Sequence, residues 1–379
     1  MACLPYFLMN ACLLALEIRK SDLPRHKIRD HVRNLILSGE LTGGMEFPST
    51  RELSAEWGIP TTIVHGALSD LVAERYLIRR QGKGTFVADR VSRLRAVGLY
   101  LGIRVLSDPC RWFIRSVFVE LNAQLQARGI SVQPWTDPRP LSEMSTMWGQ
   151  LETAVQHGQI QGLILLDASA RVLKWAPSLS VPISGITPSK LPFAVGSDLR
   201  QMLELGLTKL AQDGCRSVGL ITNHPVNATY QDYYTLFVDT ASRLGLKIRN
   251  SWIRIPRGRT LGGFECAKFG YDEFLHVWNQ KERPDGLLVE PDIVVEGVIS
   301  AILQGGVKVP QELKLVFHRN ESHEYLCPFP VTQLVTSEKD YAAALIAQLD
   351  KQISGEPCFR IVLPYRLKDA GFRAPPRTH

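Results

Sequence analysis

Apolar residues in the first quarter of the chain recur at the spacing of amphipathic helices. The first stripe of such residues comprises Ile28, Val32, Leu35 and Ile36. A shorter segment follows, in which Leu53 and Trp57 lie one helical turn apart. The third stripe comprises Val64, Ala67, Leu68, Leu71 and Val72. We therefore predict three short helices in this region, each with one apolar face.

The second and third helices carry recognisable end signals. Ser49 is suited to the N-cap position, and Glu52 three residues later completes a capping box. Gly58 is suited to the helix end, because glycine accepts the left-handed conformation common there. The third helix then presents a polar face that comprises Thr61, Thr62, His65, Gly66 and Ser69. Two helices joined by a tight turn, with the second facing outward, are the arrangement that reads base edges in a major groove.

Two short β-type runs follow, at residues 76–80 and 85–87, and they flank a glycine-containing turn. Arg79, Arg80 and Lys83 make this predicted hairpin basic. A helix-turn-helix is also found as plain architecture in small helical domains, with its charges simply facing solvent. The basic hairpin favours DNA binding, because such a wing can lie along the sugar-phosphate backbone.

Residues 24–89 resemble the winged helix-turn-helix domain of the GntR family of bacterial transcription regulators. The resemblance rests on Gly39-x-Leu41, on the block from Pro48 to Leu53, on Val64-x-x-Ala67-Leu68-x-x-Leu71, and on Gly82-x-Gly84-Thr85-Phe86-Val87. It implies an α+β head that binds an operator in double-stranded DNA. Carried over position by position, it implies DNA contacts from Arg51, Thr61, Thr62, His65, Gly82 and Lys83.

The segment that opens the third helix departs from the family pattern. Where the family usually has Ser-Arg-Thr-Thr-Val-Arg, this chain has Pro-Thr-Thr-Ile-Val-His at residues 60–65. Two arginines are absent, and a well-placed arginine on guanine contributes about 1 to 3 kcal/mol of discrimination. We expect weaker guanine readout, or an operator unlike that of the relatives. His65 is open to two interpretations, as a partner of a phosphate or as a base contact.

Behind the hairpin, short apolar runs alternate with segments of helical periodicity. The predicted strands are residues 97–101, 130–132, 162–166, 217–222, 286–289 and 313–317. The predicted helices are residues 112–128, 199–212, 230–244, 270–280 and 293–303. This alternation indicates βαβ units, whose parallel sheets are covered on both faces. We predict an α/β domain of two such lobes.

The α/β region, residues 96–373, resembles the two-lobed sensor domain of the LacI family, which shares its fold with periplasmic sugar-binding proteins. The matching segments are Val97-Gly98-Leu99, residues 161–165, Gly196-Ser197-Asp198 at a helix start, residues 216–221, Arg283-Pro284-Asp285-Gly286 and Gly306-Val307-x-Val309-Pro310. The combination of a GntR-type head with a LacI-type sensor is similar to that of regulators of the arabinose repressor type. The resemblance implies a small polar effector, such as a carbohydrate, bound in the cleft between the lobes.

Six residues are candidates for contact with this effector, namely Trp112, Asp167, Tyr233, Asp292, His318 and Asn320. The arginine and aspartate that commonly hold sugar hydroxyls are missing, because Tyr233 stands at the arginine position and His318-Arg319-Asn320 replaces the aspartate. Asp292 is either a ligand contact or a helix N-cap. Trp112 either stacks on a sugar ring or belongs to the core. A second hypothesis is that the two-lobed domain only dimerises and binds no ligand.

Motifs of enzymes are missing from the sequence. It contains no Walker loop, no Gly-x-Ser-x-Gly, no His-Glu-x-x-His and no Cys-x-x-Cys. It also lacks the lysine context of the aminotransferase-like domains that follow some GntR heads. Residues 318–324 contain two histidines and two glutamates, but the spacing favours a solvated loop over a zinc site. We therefore expect no enzymatic activity, no cofactor and no metal.

Charge and cysteine content suit a DNA-binding protein of the cytoplasm. The net charge is +7, and residues 19–95 contribute 14 Lys or Arg against 9 Asp or Glu. Such a basic region attracts polyanions in a salt-dependent way. The seven cysteines are scattered and odd in number, which indicates reduced thiols. Residues 1–18 are mostly apolar, but no positively charged segment precedes the apolar run, which disfavours a signal peptide. The run is also short for a membrane span.

We predict five parts, namely an N-terminal extension at residues 1–20, the winged head at 21–89, a short charged linker at 90–95, the two-lobed domain at 96–373 and a tail at 374–379. We expect a homodimer, without a membrane partner, whose two heads hold a near-palindromic operator. We also expect a repressor whose affinity for DNA is switched by the effector.

Overall fold

The computed structural model describes residues 25–37, 40–74, 76–88, 94–102, 105, 111–140, 142–166, 169–187, 189–224, 231–256 and 261–370. The predicted extension and tail, and most of the predicted linker, lie outside these residues. The chain divides into two compact units. The first takes in Met1–Ile103, Asn122–Ile186 and Ala344–Phe359, and the second takes in Arg104–Leu121, Thr187–Ala343 and Arg360–His379.

The head belongs to the first unit and consists of three helices and a small antiparallel sheet. The helices are α1 (Arg25–Leu37), α2 (Thr50–Trp57) and α3 (Thr61–Ala73), as the apolar stripes predict. The strands β1 (Glu46–Phe47), β2 (Leu77–Arg80) and β3 (Gly84–Val87) lie in the order β1-β3-β2. The predicted hairpin is confirmed. Strand β1 was not predicted, because two residues are too few to show an alternating pattern.

The predicted ends of α2 are confirmed. The Ser49 hydroxyl accepts a hydrogen bond from the backbone N–H of Glu52 at 3.2 Å, and the Glu52 carboxylate accepts one from the N–H of Ser49 at 2.7 Å. Gly58 follows α2 in the left-handed conformation, with φ 64° and ψ 30°. The turn between α2 and α3 therefore depends on a residue without a β-carbon.

The apolar faces of the three helices meet in one core, in which Ile28, Val32, Leu53, Val64, Leu68 and Leu71 are almost completely buried. Arg33 is the one buried charged residue among those described in the head. Its guanidinium pairs with Glu74 just after α3 and with Asp30 in α1, the latter at 2.8 Å. This ion pair joins the first helix to the end of the third.

The first unit also contains a parallel sheet. Its strands β4 (Ala96–Gly102), β5 (Ser131–Asp137), β6 (Gly162–Leu165) and β7 (Ile183–Ile186) lie in the order β5-β4-β6-β7. The helices of this region are α4 (Trp112–Ala127), α5 (Gly149–Gln156) and α6 (Val172–Trp175), with a 3₁₀ turn at Ala176–Ser178. Residues of α4 up to Leu121 belong to the second unit. Strand β4 is buried at every position, as expected of a central parallel strand.

The second unit contains a sheet of six strands, in the order β10-β9-β11-β12-β13-β15. Five strands are parallel, namely β9 (Val218–Thr222), β10 (Ile253–Arg254), β11 (Gly286–Glu290), β12 (Lys314–Asn320) and β13 (Val331–Thr336). Strand β15 (Arg366–Ala370) is antiparallel to β13, and β8 (Ala194–Ser197) forms a parallel pair with β14 (Ile361–Leu363). The helices are α7 (Leu199–Gln212), α8 (Gln231–Arg243), α9 (Phe264–Trp278), α10 (Asp292–Gly305) and α11 (Glu338–Ile353), with a 3₁₀ turn at Asn250–Trp252. Residues of α11 from Ala344 onward belong to the first unit.

Helices cover both faces of this sheet. Along β11, Leu287 and Val289 pack into one apolar cluster with α9 and α10, whereas Leu288 between them packs into another with α7 and α8. Neighbouring residues of a strand point to opposite faces, so two separate cores are needed to bury them. The predicted α/β fold with parallel sheets is confirmed.

The differences from the sequence-based prediction lie both at element ends and in whole elements that the sequence did not predict. Helix α9 begins at Phe264, whereas the predicted helix begins at residue 270. Gly270 therefore lies inside the helix, where the absence of a side chain lets α10 approach closely. The unpredicted elements of the α/β region are helices α5, α6 and α11 and strands β7, β8, β10, β13, β14 and β15. Strand β13 is buried throughout, yet Thr332 and Gln333 interrupt its apolar pattern.

Candidate functional site

The predicted recognition face of the head lies on the first turns of α3. Thr61, Thr62 and His65 are exposed there, whereas the opposite side of the helix is buried in the head core. The Thr61 hydroxyl lies 3.1 Å from the Ser54 hydroxyl, which itself donates to the carbonyl oxygen of Ile59 at 2.6 Å. Thr61 therefore donates its proton to Ser54, ties α3 to α2, and keeps an acceptor lone pair.

Arg51 and the wing tip bring further polar groups to the surface of the head. Arg51 is the second residue of α2 and is exposed. Gly82 and Gly84 have φ values of 69° and 108°, which favour glycine and allow the hairpin to turn. Lys83 lies exposed between them. All six residues that the GntR resemblance implies for DNA contact thus lie at exposed positions of α2, α3 and the hairpin.

In the second unit, polar side chains gather at the carboxyl ends of four adjacent parallel strands. Thr222 ends β9 and is paired in register with Glu290, which ends β11. Asn320 ends β12 and is paired with Thr336, which ends β13. All four residues are buried. Open α/β sheets bind their ligands at this edge, so it is the candidate ligand site of the unit.

Asp292, the first residue of α10, is a buried carboxylate at this edge. Its Oδ1 accepts a hydrogen bond from the backbone N–H of Ile293 at 2.9 Å, and its Oδ2 accepts one from the Asn320 side chain at 2.7 Å. One oxygen thus bonds to the backbone at the start of α10, and the other faces the polar side chains at the strand ends, which we call the polar cluster. Burial raises the pKa of Asp292, but hydrogen bonds from His323 and Asn320 help to outweigh it and hold the pKa below its ordinary value.

Four residues form a closed ring of hydrogen bonds. The backbone N–H of Asp292 donates to Nδ1 of His318 at 3.2 Å. The neutral His318 ring therefore carries its proton on Nε2, which lies 3.3 Å from the Thr336 hydroxyl. Thr336 donates to Asn320 Oδ1 at 2.8 Å, and Asn320 donates to Asp292. Burial lowers the pKa of His318, which agrees with the neutral ring that this network requires.

Glu290 is the second buried carboxylate of the cluster. Its Oε1 accepts hydrogen bonds from the Thr222 hydroxyl and, at 3.1 Å, from the Tyr233 hydroxyl. Its Oε2 lies 3.0 Å from Nε2 of His224. Burial raises the pKa of Glu290, but the interactions with His224 and Thr222 help to outweigh it, and the pKa lies below its ordinary value.

His323 covers the Asp292 side of the cluster. Its Nδ1 lies 3.2 Å from Asp292 Oδ2, and its Nε2 lies 3.1 Å from Glu296 Oε1. Its ring lies against the indole of Trp112, with centroids 3.9 Å apart. Burial lowers the pKa of His323, but the two carboxylates outweigh it and raise the pKa above its ordinary value.

The structure brings together five of the six residues expected at the effector site. Asp292, His318 and Asn320 are joined directly by hydrogen bonds. Tyr233, almost completely buried, donates to Glu290 at the same edge of the sheet, and Trp112 lies against His323, which contacts Asp292. The sixth residue, Asp167, lies outside the described residues.

Several members of the cluster were not among the six expected effector contacts, namely Thr222, His224, Glu290, His323 and Thr336. A signal was present at Thr222 and Glu290, because each is a polar residue that ends an otherwise apolar strand. His323 offered no such signal, since its place depends on how the loop after β12 folds back.

The cluster offers carboxylate, imidazole, hydroxyl and amide groups, which are the groups that fix polar ligands in pockets. Among the described residues, no group of three or more His, Cys, Asp and Glu side chains is placed to hold a metal ion. Cys215, Cys266, Cys327 and Cys358 carry no disulfide. In the described part of the chain, none of the helices combines the length and the apolar character that crossing a membrane requires.

Two known protein families match separate parts of the chain. Residues 24–87 match the bacterial regulatory proteins of the gntR family, and residues 207–368 match the periplasmic binding protein-like domain. The chain carries a GntR-type head on a periplasmic-binding-protein-like domain. The GntR-type match contains α1 to α3 and the wing. The second match contains β9, β11, β12 and β13, and therefore the strand ends at which the polar cluster lies.

Individual relatives match shorter stretches of the chain. The HTH-type transcriptional repressor PurR of Glaesserella parasuis is 28% identical over 130 residues, 34% of this chain and 36% of that protein. The HTH-type transcriptional repressor NagR of Bacillus subtilis is 39% identical over 71 residues, 18% of this chain and 29% of that protein. The chain thus spans only about a third of the length of each of these two curated relatives.

A solved structure supports the fold of the larger domain. The LacI family transcription regulator from Clostridium acetobutylicum is similar over 72% of this chain and 98% of its own, at 20% identity and a TM-score of 0.56. This likeness shows that the larger domain shares its fold with that regulator. The head family and the named relatives are transcription regulators and not enzymes, as predicted.

Proposed function

We propose that this protein is a sequence-specific transcription regulator, acting as a repressor, whose affinity for its operator is switched by a small polar metabolite. The observation that carries the proposal is the presence in one chain of an exposed winged helix-turn-helix face and a buried polar cluster at the carboxyl edge of a parallel sheet. The first feature suits DNA, and the second suits a polar ligand.

The DNA-binding part rests on the geometry of the head. In winged heads, the helix that corresponds to α3 enters the major groove, and the start of α3 is exposed here. Two exposed cationic side chains flank α3 in the sequence, Arg51 before it and Lys83 after it. Cations on the surface supply the sequence-independent part of affinity through phosphates. The PurR and NagR relatives are named repressors, which favours repression over activation.

The ligand-binding part rests on the cost of the polar cluster. Two carboxylates and an imidazole are buried at the edge of a sheet whose core needs only apolar side chains. Burying a charged group is costly unless an opposite charge or hydrogen bonds compensate it. A buried cluster of charged groups therefore indicates a functional role rather than a contribution to stability. Trp112 and His323 add ring faces beside these polar groups, a combination suited to a carbohydrate or a related polyhydroxylated molecule.

Switching requires that the metabolite bind one conformation more tightly than another. The operator affinity then changes by the ratio of the two ligand affinities, and DNA changes the ligand affinity by the same factor. We propose that the protein acts in the cytoplasm as a homodimer, so that two heads meet two half-sites of a near-palindromic operator.

A second candidate function is a DNA-binding regulator whose larger domain dimerises without any ligand. One observation favours it. His323 itself lies on Trp112 and bonds to Asp292, so these groups already have partners within the chain.

The operator is first obtained by selection from random DNA duplexes with the full chain. Arg51→Ala should then abolish specific binding, with Arg128→Ala as the control, because Arg128 is an exposed arginine outside the head that pairs with Asp350 at 2.8 Å. Retention of operator binding by Arg51→Ala contradicts the assignment of the head.

Thermal unfolding against a panel of sugars and related metabolites tests the ligand, since a ligand that binds only the folded state raises the melting temperature. A metabolite found in this way should change the operator affinity. If no metabolite raises the melting temperature, the dimerisation alternative is favoured.

A further inference from the structure

Gly66 lies in the middle of the recognition helix α3, where glycine is unfavourable relative to alanine. Its backbone does not need glycine, because the residue lies within a right-handed helix and not in the left-handed region. The remaining reason for glycine at a helix surface is space for a neighbouring group.

The group that uses this space is the side chain of Arg25, the first residue of α1. A β-carbon built on Gly66 would lie 3.0 Å from Nε, 3.1 Å from Cδ and 3.3 Å from Cζ of Arg25. The guanidinium thus lies across the bare backbone of α3. A side chain at position 66 would have to push it aside.

Asp70, one helical turn after Gly66, holds this guanidinium in place. Arg25 Nε donates to Asp70 Oδ2 at 2.6 Å, and Nη2 donates to Oδ1. Two parallel bonds between arginine and carboxylate fix the direction of the planar group. The Arg25 side chain nevertheless remains 55% exposed. The pair uses two of the five N–H groups of the guanidinium, which leaves those of Nη1 for another acceptor.

The location of this pair matters because of the helical spacing. Thr62, Gly66 and Asp70 follow one another at four-residue intervals, next to the exposed residues Thr61 and His65. The guanidinium of Arg25 therefore lies at the border of the predicted reading face. Phosphates line both borders of a major groove that holds such a helix.

We propose that Arg25 is a phosphate-binding residue, which α1 supplies to the recognition helix and which Asp70 holds over Gly66. This inference rests on the proposed DNA binding. It assigns to Arg25 a contact with a backbone phosphate of the operator at the edge of the groove. The recognition helix has no arginine of its own, and the missing cation comes from a different helix.

The test is the salt dependence of operator binding by the full chain, with inorganic salt as the variable. A phosphate contact contributes about 0.9 to the slope of log affinity against log salt. Arg25→Gln should lower that slope by about 0.9 and weaken binding about eightfold at 0.1 M salt. The loss should be equal for the operator and for unrelated duplexes of the same length, because a phosphate contact does not depend on sequence.

Two further variants separate a phosphate contact from a structural tie between α1 and α3. Asp70→Asn breaks the ion pair but keeps Arg25, so the slope should stay at or above that of the wild type. Arg128→Gln removes the same charge far from the head in sequence and should leave the slope unchanged.

An unchanged slope in Arg25→Gln overturns the proposal. So does an equal loss of affinity in Arg25→Gln and Asp70→Asn without a change of slope, because a structural tie alone accounts for that result. If the wild-type chain binds no operator at all, the proposed function fails, and that result is distinct from a wild-type chain that binds DNA with Arg25 uninvolved.

Discussion

The imidazole of His323 lies against the indole of Trp112, with the two ring centroids 3.9 Å apart. Both ring nitrogens of His323 also face carboxylates, those of Asp292 and Glu296. The ring is therefore held between an aromatic face and two negative charges, an arrangement that favours its protonated form. The stability of the second unit should depend on this proton.

Replacing His323 by glutamine should remove a loss of stability at alkaline pH. The pKa of His323 is raised above 6.5, so above that pH the unfolded chain releases a proton that the folded chain still holds. The stabilisation is complete below pH 6.5 and is lost as the pH rises through the raised pKa. Asp292 and Glu296 of α10 and Tyr325 of the same loop are the titratable groups that face the ring.

The measurement is the urea midpoint of the wild type and of His323→Gln between pH 6 and 9. The wild type should lose more stability than the variant over this range. His276→Gln is the control, because His276 is exposed near the end of α9 in the same unit. Parallel profiles for the wild type and His323→Gln contradict the assignment of the proton.

His318 should act in the opposite direction and in a different pH range. Burial lowers the pKa of His318 below 6.5. At pH values between this lowered pKa and 6.5, the unfolded chain therefore binds a proton that the folded chain does not bind. Stability therefore rises with pH up to about 6.5. Asp292, Glu290, His224 and Glu338 are the charged or titratable groups that act on the ring.

In His318→Gln the rise of the urea midpoint between pH 4.5 and 6.5 should be smaller than in the wild type. The variant is expected to be less stable at every pH, so the informative quantity is the slope and not the midpoint itself. An acid-side slope equal to that of the wild type speaks against a neutral His318.

The contrast between head and polar cluster shows what the sequence was able to predict. Ser49, Glu52 and Gly58 define the ends of α2 through contacts within a few residues, so their pattern is legible in the sequence. The ring that joins Asp292, His318, Asn320 and Thr336 spans 44 positions and three elements. Such contacts depend on strand register, which a single sequence does not specify.

The same reason explains the features of the head that were not predicted. Gly66 was placed on the polar face of α3 correctly, but nothing in its neighbourhood in sequence indicated Arg25, which lies 41 positions earlier. The loss of two arginines from α3 was visible from the family pattern. The position of Arg25 over that helix required the structure.

Replacing Thr336 by valine should destabilise the second unit by about 1 to 3 kcal/mol, because the change leaves buried polar partners unsatisfied. Asn320 Oδ1 loses its donor and the Nε2 proton of His318 loses its acceptor, while the volume is nearly unchanged. The matched control is Thr240→Val, since Thr240 is equally buried in α8 but lies outside this ring. Equal urea midpoints for the two variants are incompatible with the closed ring of hydrogen bonds.

Replacing Gly297 by alanine should be more damaging, at roughly 3 kcal/mol or more, because overpacking against backbone has no easy relief. A β-carbon on Gly297 would lie 1.8 Å from the carbonyl oxygen of Ala267, so α9 and α10 have to separate. Asp292 lies on α10 and would move with it. Gly305→Ala, at the exposed end of the same helix, is the control, since its β-carbon meets only Val307 at 3.5 Å. Thermal unfolding of the two variants should differ clearly, and similar melting temperatures disprove the tight crossing.

Replacing His65 by arginine should decide between the two interpretations of this exposed residue. If position 65 faces base edges, the arginine can fork onto guanine and should improve binding to duplexes with guanine at one position by about 5- to 150-fold, or 1 to 3 kcal/mol. If position 65 faces a phosphate, the gain should be the same for every duplex and should increase the salt slope by about 0.9. His157→Arg is the control, because it makes the same change at an exposed position after α5, outside the head. The measurement is a binding series over duplexes that differ from the selected operator by one base pair. We expect the guanine-specific gain, since His65 lies one turn after Thr61 on the exposed face of α3, and a uniform gain assigns His65 to the backbone instead.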